Sequence, residues 1–152
     1  MKVSEIMTRN PMCATPDMSL EQVARMMADC DCGAIPVVES QNSQVPIGII
    51  TDRDIVIRSL GRGRNPMDMT VEDCMTASTI TVDMESDLRD AARMMRENQI
   101  RRLIVTDGDQ RSIVGIVALA DVARQHHDKL TGEVVEEISE PVGRERQMSM
   151  NR

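Results

Sequence analysis

Apolar positions along the chain fall into two rhythms that alternate. Leu20, Val23, Ala24 and Met27 stand at i, i+3, i+4 and i+7, the stripe of an α-helix. They predict a helix over 20–29, capped by Asp17 or Ser19. Ahead of it, residues 1–8 read as a short amphipathic turn with Val3, Ile6 and Met7 on one side, and 11–14 as a short extended piece. The apolar runs 34–38 and 46–50 have strand length, Pro36 points to an edge or an end, and 39–45 is expected to be a polar loop. Residues 52–60 predict a second helix. Gly61, Gly63 and Pro66 then interrupt the pattern. After them the order returns: a second short turn capped by Thr70, an extended piece at 80–82, a helix over 88–98 capped by Asp87, strands at 102–106 and 113–117 around Asp107-Gly108-Asp109, and a helix over 119–127. The polar stretch 131–152 is expected to be a loose tail, with a short helix near 133–138.

The return is a sequence repeat. Val3, Met7 and Thr8 recur 68 residues later as Val71, Met75 and Thr76. At the same offset Leu20 meets Leu88, Arg25-Met26-Met27 meets Arg93-Met94-Met95, and Val37 meets Val105. After a one-residue deletion, Gly48-Ile49-Ile50-Thr51-x-x-Asp54 meets Gly115-Ile116-Val117-Ala118-x-x-Asp121. Two copies imply a pseudo-two-fold pair and not a solenoid. The expected division is 1–60, a linker at 61–70, 71–127 and a partly disordered tail at 128–152. The expected class is α+β (mixed α/β): each copy a small sheet with helices on one face, the two sheets packed together. A copy of about 60 residues is marginal alone, and packing the sheets together buries both apolar faces. The methionine pairs Met26-Met27 and Met94-Met95 read as core.

Thr51 ends a strand and begins a helix, and Asp54 follows three residues on, so the two can form a capping box. The same arrangement gathers a hydroxyl, a carboxylate and free backbone N–H groups at a helix N-terminus, where a phosphate or sugar can bind.

Composition narrows the partners. The net charge is −7 and there is no Phe, Tyr or Trp. Nucleic-acid binding favours a basic surface and aromatic stacking platforms, so neither DNA nor RNA is expected. No apolar run reaches the roughly 20 residues that span a bilayer, and no signal segment is evident. A soluble, cytoplasmic protein without a membrane partner is therefore expected. No Walker loop, HExxH or supported Ser/His/Asp set is present, so no enzyme activity and no catalytic residue are expected. The cysteines are Cys13, Cys30, Cys32 and Cys74. Cys30-x-Cys32 lacks the spacing of a structural zinc site, so no metal site is assigned and reduced, mostly buried thiols are expected. A metal or redox sensor using these cysteines with His126-His127 is an alternative.

The residues Val3…Met7-Thr8, Ala34-Ile35-Pro36-Val37-Val38 and Gly48-Ile49-Ile50-Thr51-Asp52-Arg53-Asp54, with their second copies, resemble the cystathionine-β-synthase (CBS) domain pair, the Bateman module, over 1–127. The resemblance implies a stand-alone regulatory module, a homodimer, and an unknown effector protein that reads it. It implies a ligand, AMP, ADP, ATP or another adenosyl compound, and no required cofactor. In the first cleft Asp54 would hold the ribose, Thr51 the phosphate, and Arg101 and Arg102 the phosphate from the opposite copy; apart from the resemblance, Arg53 in the first helical turn opposes the helix dipole, a conflict that an anionic partner relieves and exposure to solvent explains nearly as well. Adenine would lie among Ile49, Ile80 and Thr81. The second cleft keeps Gly115 and Asp121 but has Ala118 in place of the hydroxyl and faces Gly33-Ala34. It is expected to lack phosphate-holding groups and to bind weakly. A dimerising stress-response scaffold with a vestigial site is the remaining alternative.

Overall fold

The computed structural model describes residues 1–77 and 80–125. The expectations for the tail, for the short helix at 133–138, for the last two residues of the final helix and for His126-His127 lie outside them.

The chain opens with one turn at Val3–Glu5 and a two-residue strand β1 (Thr8–Arg9). Helix α1 (Leu20–Cys30) is capped by Ser19, not Asp17. Ser19 Oγ accepts the Gln22 N–H at 3.1 Å, and Gln22 Oε1 accepts the Ser19 N–H at 3.0 Å. Asp17 instead accepts the Thr15 hydroxyl at 2.6 Å. Strands β2 (Ala34–Ser40) and β3 (Ser43–Thr51) then form a hairpin. The expected loop over 39–45 is thus mostly strand. Its polar residues lie on an exposed ribbon, and Pro46 is accommodated opposite Val38 beside a bulge. As expected from Pro36, β2 is an edge strand. Helix α2 (Asp52–Arg58) stops short of residue 60 because the Ser59 hydroxyl turns back onto the Ile55 carbonyl and the next turn tightens over Leu60–Arg62.

The second copy follows the same course: α3 (Val71–Cys74), β4 (Thr76–Ala77), β5 (Thr81–Asp83), α4 (Leu88–Glu97), β6 (Arg102–Thr106), β7 (Ile113–Ala118) and α5 (Leu119–Gln125). The two sheets, ordered β2-β3-β4 and β1-β7-β6-β5, meet where β3 approaches β7. Among the paired strands of the described residues, only β5 and β6 are parallel. In the first copy the counterpart of β5 is reduced to a single bridge from Ala14 to Val37.

The repeat alone did not foretell one feature: the copies exchange their leading segments. β1 pairs with β7 of the second copy, Thr8 opposite Ile116, and β4 pairs with β3 of the first, Thr76 opposite Ile49. Val3 and Met7 are buried in the second core with Leu88, Met95, Leu103 and Val117. Met69, Val71 and Cys74 are buried in the first, with Leu20, Val23, Ile35 and Ile50. Equivalent backbone bonds fasten both exchanges: Val3 N–H to Ser86 O at 3.0 Å, and Val71 N–H to Met18 O at 2.9 Å.

Candidate functional site

The capping box at the head of α2 is formed. Thr51 Oγ1 accepts the Asp54 N–H at 3.1 Å, and Asp54 Oδ2 accepts the Thr51 N–H at 3.1 Å. This leaves Asp54 Oδ1, which receives one long bond of 3.5 Å from the Thr76 hydroxyl on the exchanged strand β4. Thr51 and Asp54 are half-buried, as are Ile49, Ile80 and Thr81. Arg53, Arg101 and Arg102 are exposed. Among the described residues none of these three guanidinium groups has an ion-pair partner.

A residue the sequence reading passed over completes this corner. Arg58, one helical turn beyond Asp54, reaches across to the exchanged segment. Its guanidinium donates to Cys74 O at 3.1 Å, Met75 O at 2.7 Å and Thr76 Oγ1 at 3.3 Å. It therefore fixes the threonine that bonds Asp54. The signal was a cation four residues after the motif aspartate, a spacing that places both on one helix face.

The second cleft forms a cavity of about 450 Å³ lined by residues of both copies, among them Arg9, Gly33, Ala34, Arg102, Ala118 and Asp121. Asp121 Oδ2 accepts the Ala118 N–H at 2.9 Å, so half of the capping box survives without the hydroxyl. Its Oδ1 lies 3.6 Å from Arg124. The cleft is not devoid of cations, contrary to expectation. Arg102 sits opposite Ala118 in the β6–β7 ladder and so lines the cavity of its own copy. Arg9 arrives on the exchanged strand β1. Arg9 could have been noticed as a break in the repeat, since Ala77 holds the equivalent place.

The cysteines also depart from expectation. Cys30 and Cys32 are joined in a disulfide, Cα atoms 5.3 Å apart, on the wall of this cavity. The spacing that argues against zinc is short enough for direct pairing across a tight turn. Cys13 and Cys74 are free thiols, and burial pushes both above the ordinary thiol range. No group of three metal-ligating side chains is assembled among the described residues.

Two duplicated halves, each lending a strand and a helical turn to the other, with a helix-capping aspartate facing the cleft between them, define a tandem α+β cleft module. The chain belongs to the CBS-domain family, whose sequence signature matches residues 3–61 and 71–128. It is 35% identical over 138 residues to the CBS domain-containing protein YhcV of Bacillus subtilis, covering 90% of this chain and 94% of that one. It is 32% identical to an uncharacterized protein of Methanopyrus kandleri, of whose length it spans 60%. Among solved structures it is similar to Hypoxic Response Protein I with two coordinated zinc ions, at 31% identity and TM-score 0.71, covering 83% of this chain and 99% of that one. It is also similar to the CBS domain pair of protein MJ0100 in complex with 5′-methylthioadenosine and S-adenosyl-L-methionine, at 26% identity and TM-score 0.71, covering 82% and 94%. No helix among the described residues is long and apolar enough to cross a membrane.

Proposed function

We propose that the chain is a regulatory, non-catalytic module that binds an adenine nucleotide or another adenosyl compound between its copies and signals occupancy to a partner protein. The observation that carries this reading is the Thr51–Asp54 pair. It presents a carboxylate oxygen with spare hydrogen-bonding capacity beside a helix N-terminus, and Arg53, Arg101 and Arg102 (the last on the wall of the second cleft) are exposed with no ion-pair partner among the described residues. Carboxylate to ribose hydroxyl and guanidinium to phosphate are charge-assisted bonds. The repeat supports the pairing. Gly33 and Ala34 line the cavity around Asp121, and Arg101 and Arg102 occupy the equivalent turn 68 residues later. In this reading Ile49, Ile80 and Thr81 flank the base. The adenosyl ligands of the MJ0100 pair support the ligand class. Binding alters the relation between copies or between the protomers of a homodimer, by the ligand's differential affinity for the two arrangements.

Calorimetric titration of the full chain with AMP, ADP, ATP and 5′-methylthioadenosine tests the proposal. At least one is expected to bind, and Asp54→Ala is expected to weaken it at least about tenfold, the equivalent of one lost charge-assisted bond. Asp121→Ala reports the share of the second cleft. The absence of binding by all four, or unchanged affinity in Asp54→Ala, rejects the assignment.

A further inference from the structure

The Cys30–Cys32 pair has no evident architectural task, and the second copy shows why. The turn after α1 places Asp31 in the left-handed region at φ 50°, and Gln99 after α4 stands at φ 52°. Cys32 N–H bonds Met27 O at 3.0 Å, and Ile100 N–H bonds Met95 O at 3.0 Å. Gly33 O accepts the Asp52 N–H at 3.0 Å, and Arg101 O accepts the Leu119 N–H at 2.8 Å. The same turn is thus built twice, with cysteines at 30 and 32 in one copy and Asn98 and Ile100 in the other. The backbone needs no cross-link to adopt it. A bond closing so short a loop also removes little chain entropy from the unfolded state.

Placement gives the pair a chemical setting instead. Cys30 is exposed, Cys32 is half-buried, and both line the 450 Å³ cavity that also holds Arg9 and Arg102, with Asp31 and Asp121 as the opposing charges. We infer that Cys30 and Cys32 are a redox-active dithiol–disulfide site that exchanges with dithiol reductants and whose state reshapes the cavity wall. The incoming thiolate attacks the exposed Cys30 sulfur, and the Cys30–Cys32 bond breaks with the electron pair leaving on Cys32. The reagent's second thiol then displaces Cys30, so that two electrons and two protons pass to the protein and the reagent leaves as its disulfide. Arg9 and Arg102 favour the departing thiolate. Two sulfurs no longer bonded need more room than a bonded pair, so the wall from Cys30 to Ala34 moves. Cys13 and Cys74 do not compete, because their raised pKa values keep them protonated at neutral pH.

The test uses the unaltered full chain, equilibrated in buffers of graded reduced-to-oxidised dithiothreitol ratio, alkylated and mapped by mass spectrometry. The peptide bearing Cys30 and Cys32 is expected to pass reversibly from no label to two labels in a single two-electron step. Amide NMR spectra of the two end states are expected to differ at 30–34 and at cavity residues such as Arg9, Arg102 and Asp121, while the twin turn at 98–100, away from the cavity lining, stays unmoved. Two labels before any reductant, no label in excess dithiol, or spectra that differ equally in both turns would overturn the inference. Cys30→Ser and Cys32→Ser, each expected to abolish the step and leave a single label in all buffers, tie it to this pair. A two-electron step that persists in either variant assigns it to other cysteines and overturns the inference as well.

Discussion

Single residues carry the close approach on which the exchange of segments depends. Gly48 lies beneath strand β4, and a Cβ there would stand 2.5 Å from Thr76 O and 3.3 Å from Ala77 Cα. Gly115 has the mirror constraint, 2.9 Å from Thr8 O. The motif glycines therefore serve strand crossing as much as any ligand. Gly48→Ala is expected to cost about 1–3 kcal/mol, since backbone cannot yield as a flexible side chain does. Gly61→Ala, whose nearest neighbour would be 3.6 Å away, is expected to be near neutral. Equal urea midpoints for the two variants would refute the crossing argument. At the head of α4, Asp87 Oδ1 accepts the Arg89 N–H at 2.8 Å and Oδ2 lies 3.7 Å from the chain's terminal ammonium. That backbone bond, more than the neighbouring charges, holds its carboxyl below the ordinary value of 3.8. A carboxyl depressed in the folded state stabilises the fold above its unfolded pKa, and the benefit vanishes as pH falls through the lower folded value. Asp87→Asn is therefore expected to flatten the loss of stability between about pH 5 and pH 2. Chemical denaturation at a series of pH values measures it, and identical slopes would show that the charge is idle.

Among the elements, α2 works as a clamp on both sides of the cleft. Its first turn holds Thr51 and Asp54, and its last holds Arg58 against the carbonyls of Cys74 and Met75. Arg58→Ala strips the cation from two part-buried carbonyls. It is expected to cost about 1.5–3 kcal/mol and to release Thr76 from Asp54. Urea denaturation reads the first effect, and hydrogen exchange at Thr76 and Ala77 the second; wild-type values for both would show that Arg58 is not a clamp. How far such elements were legible follows from what each one depends on. The helices and the four longer strands stood where period and caps put them, because both signals are local. Only the far end of the β2–β3 hairpin, 39–45, reads as a loop, because its residues are mostly polar and exposed and show no alternation. The exchanged two-residue strands are too short for any period. Their partners belong to the other copy, Ile116 for Thr8 and Ile49 for Thr76, so only coordinates reveal them. In the same way Thr51 and Asp54 were readable from spacing, whereas Arg58, Arg9 and the cysteine pair gain meaning only from what the exchange sets beside them.

Taken whole, the molecule is one interlocked body, and its physical halves are not the halves of its repeat. The bonds that fasten the exchange obey the repeat strictly: Leu88 N–H to Met1 O at 2.9 Å matches Leu20 N–H to Met69 O at 3.0 Å. Each core thus takes its closing residues from the other copy's leading segment. A fragment cut at the repeat boundary, residues 1–62, keeps Val3 and Met7, which have no core to enter. It also lacks Met69, Val71 and Cys74, which are at most 3% exposed in the first core. A fragment of residues 10–77 instead carries α1, β2, β3, α2, α3 and β4, and with them every buried residue of the first core. Both fragments lie near the size at which a single core is marginal, so the placement of those three residues decides between them. Removing buried groups of this size costs about 2–5 kcal/mol each, enough to unfold a marginal domain. Residues 10–77 are expected to show a cooperative thermal transition by circular dichroism and protected amides in β2 and β3, and residues 1–62 to show neither. If the fragment cut at the repeat boundary were the better folded, the exchange would be an accessory of the pair and not the means by which each half completes its core.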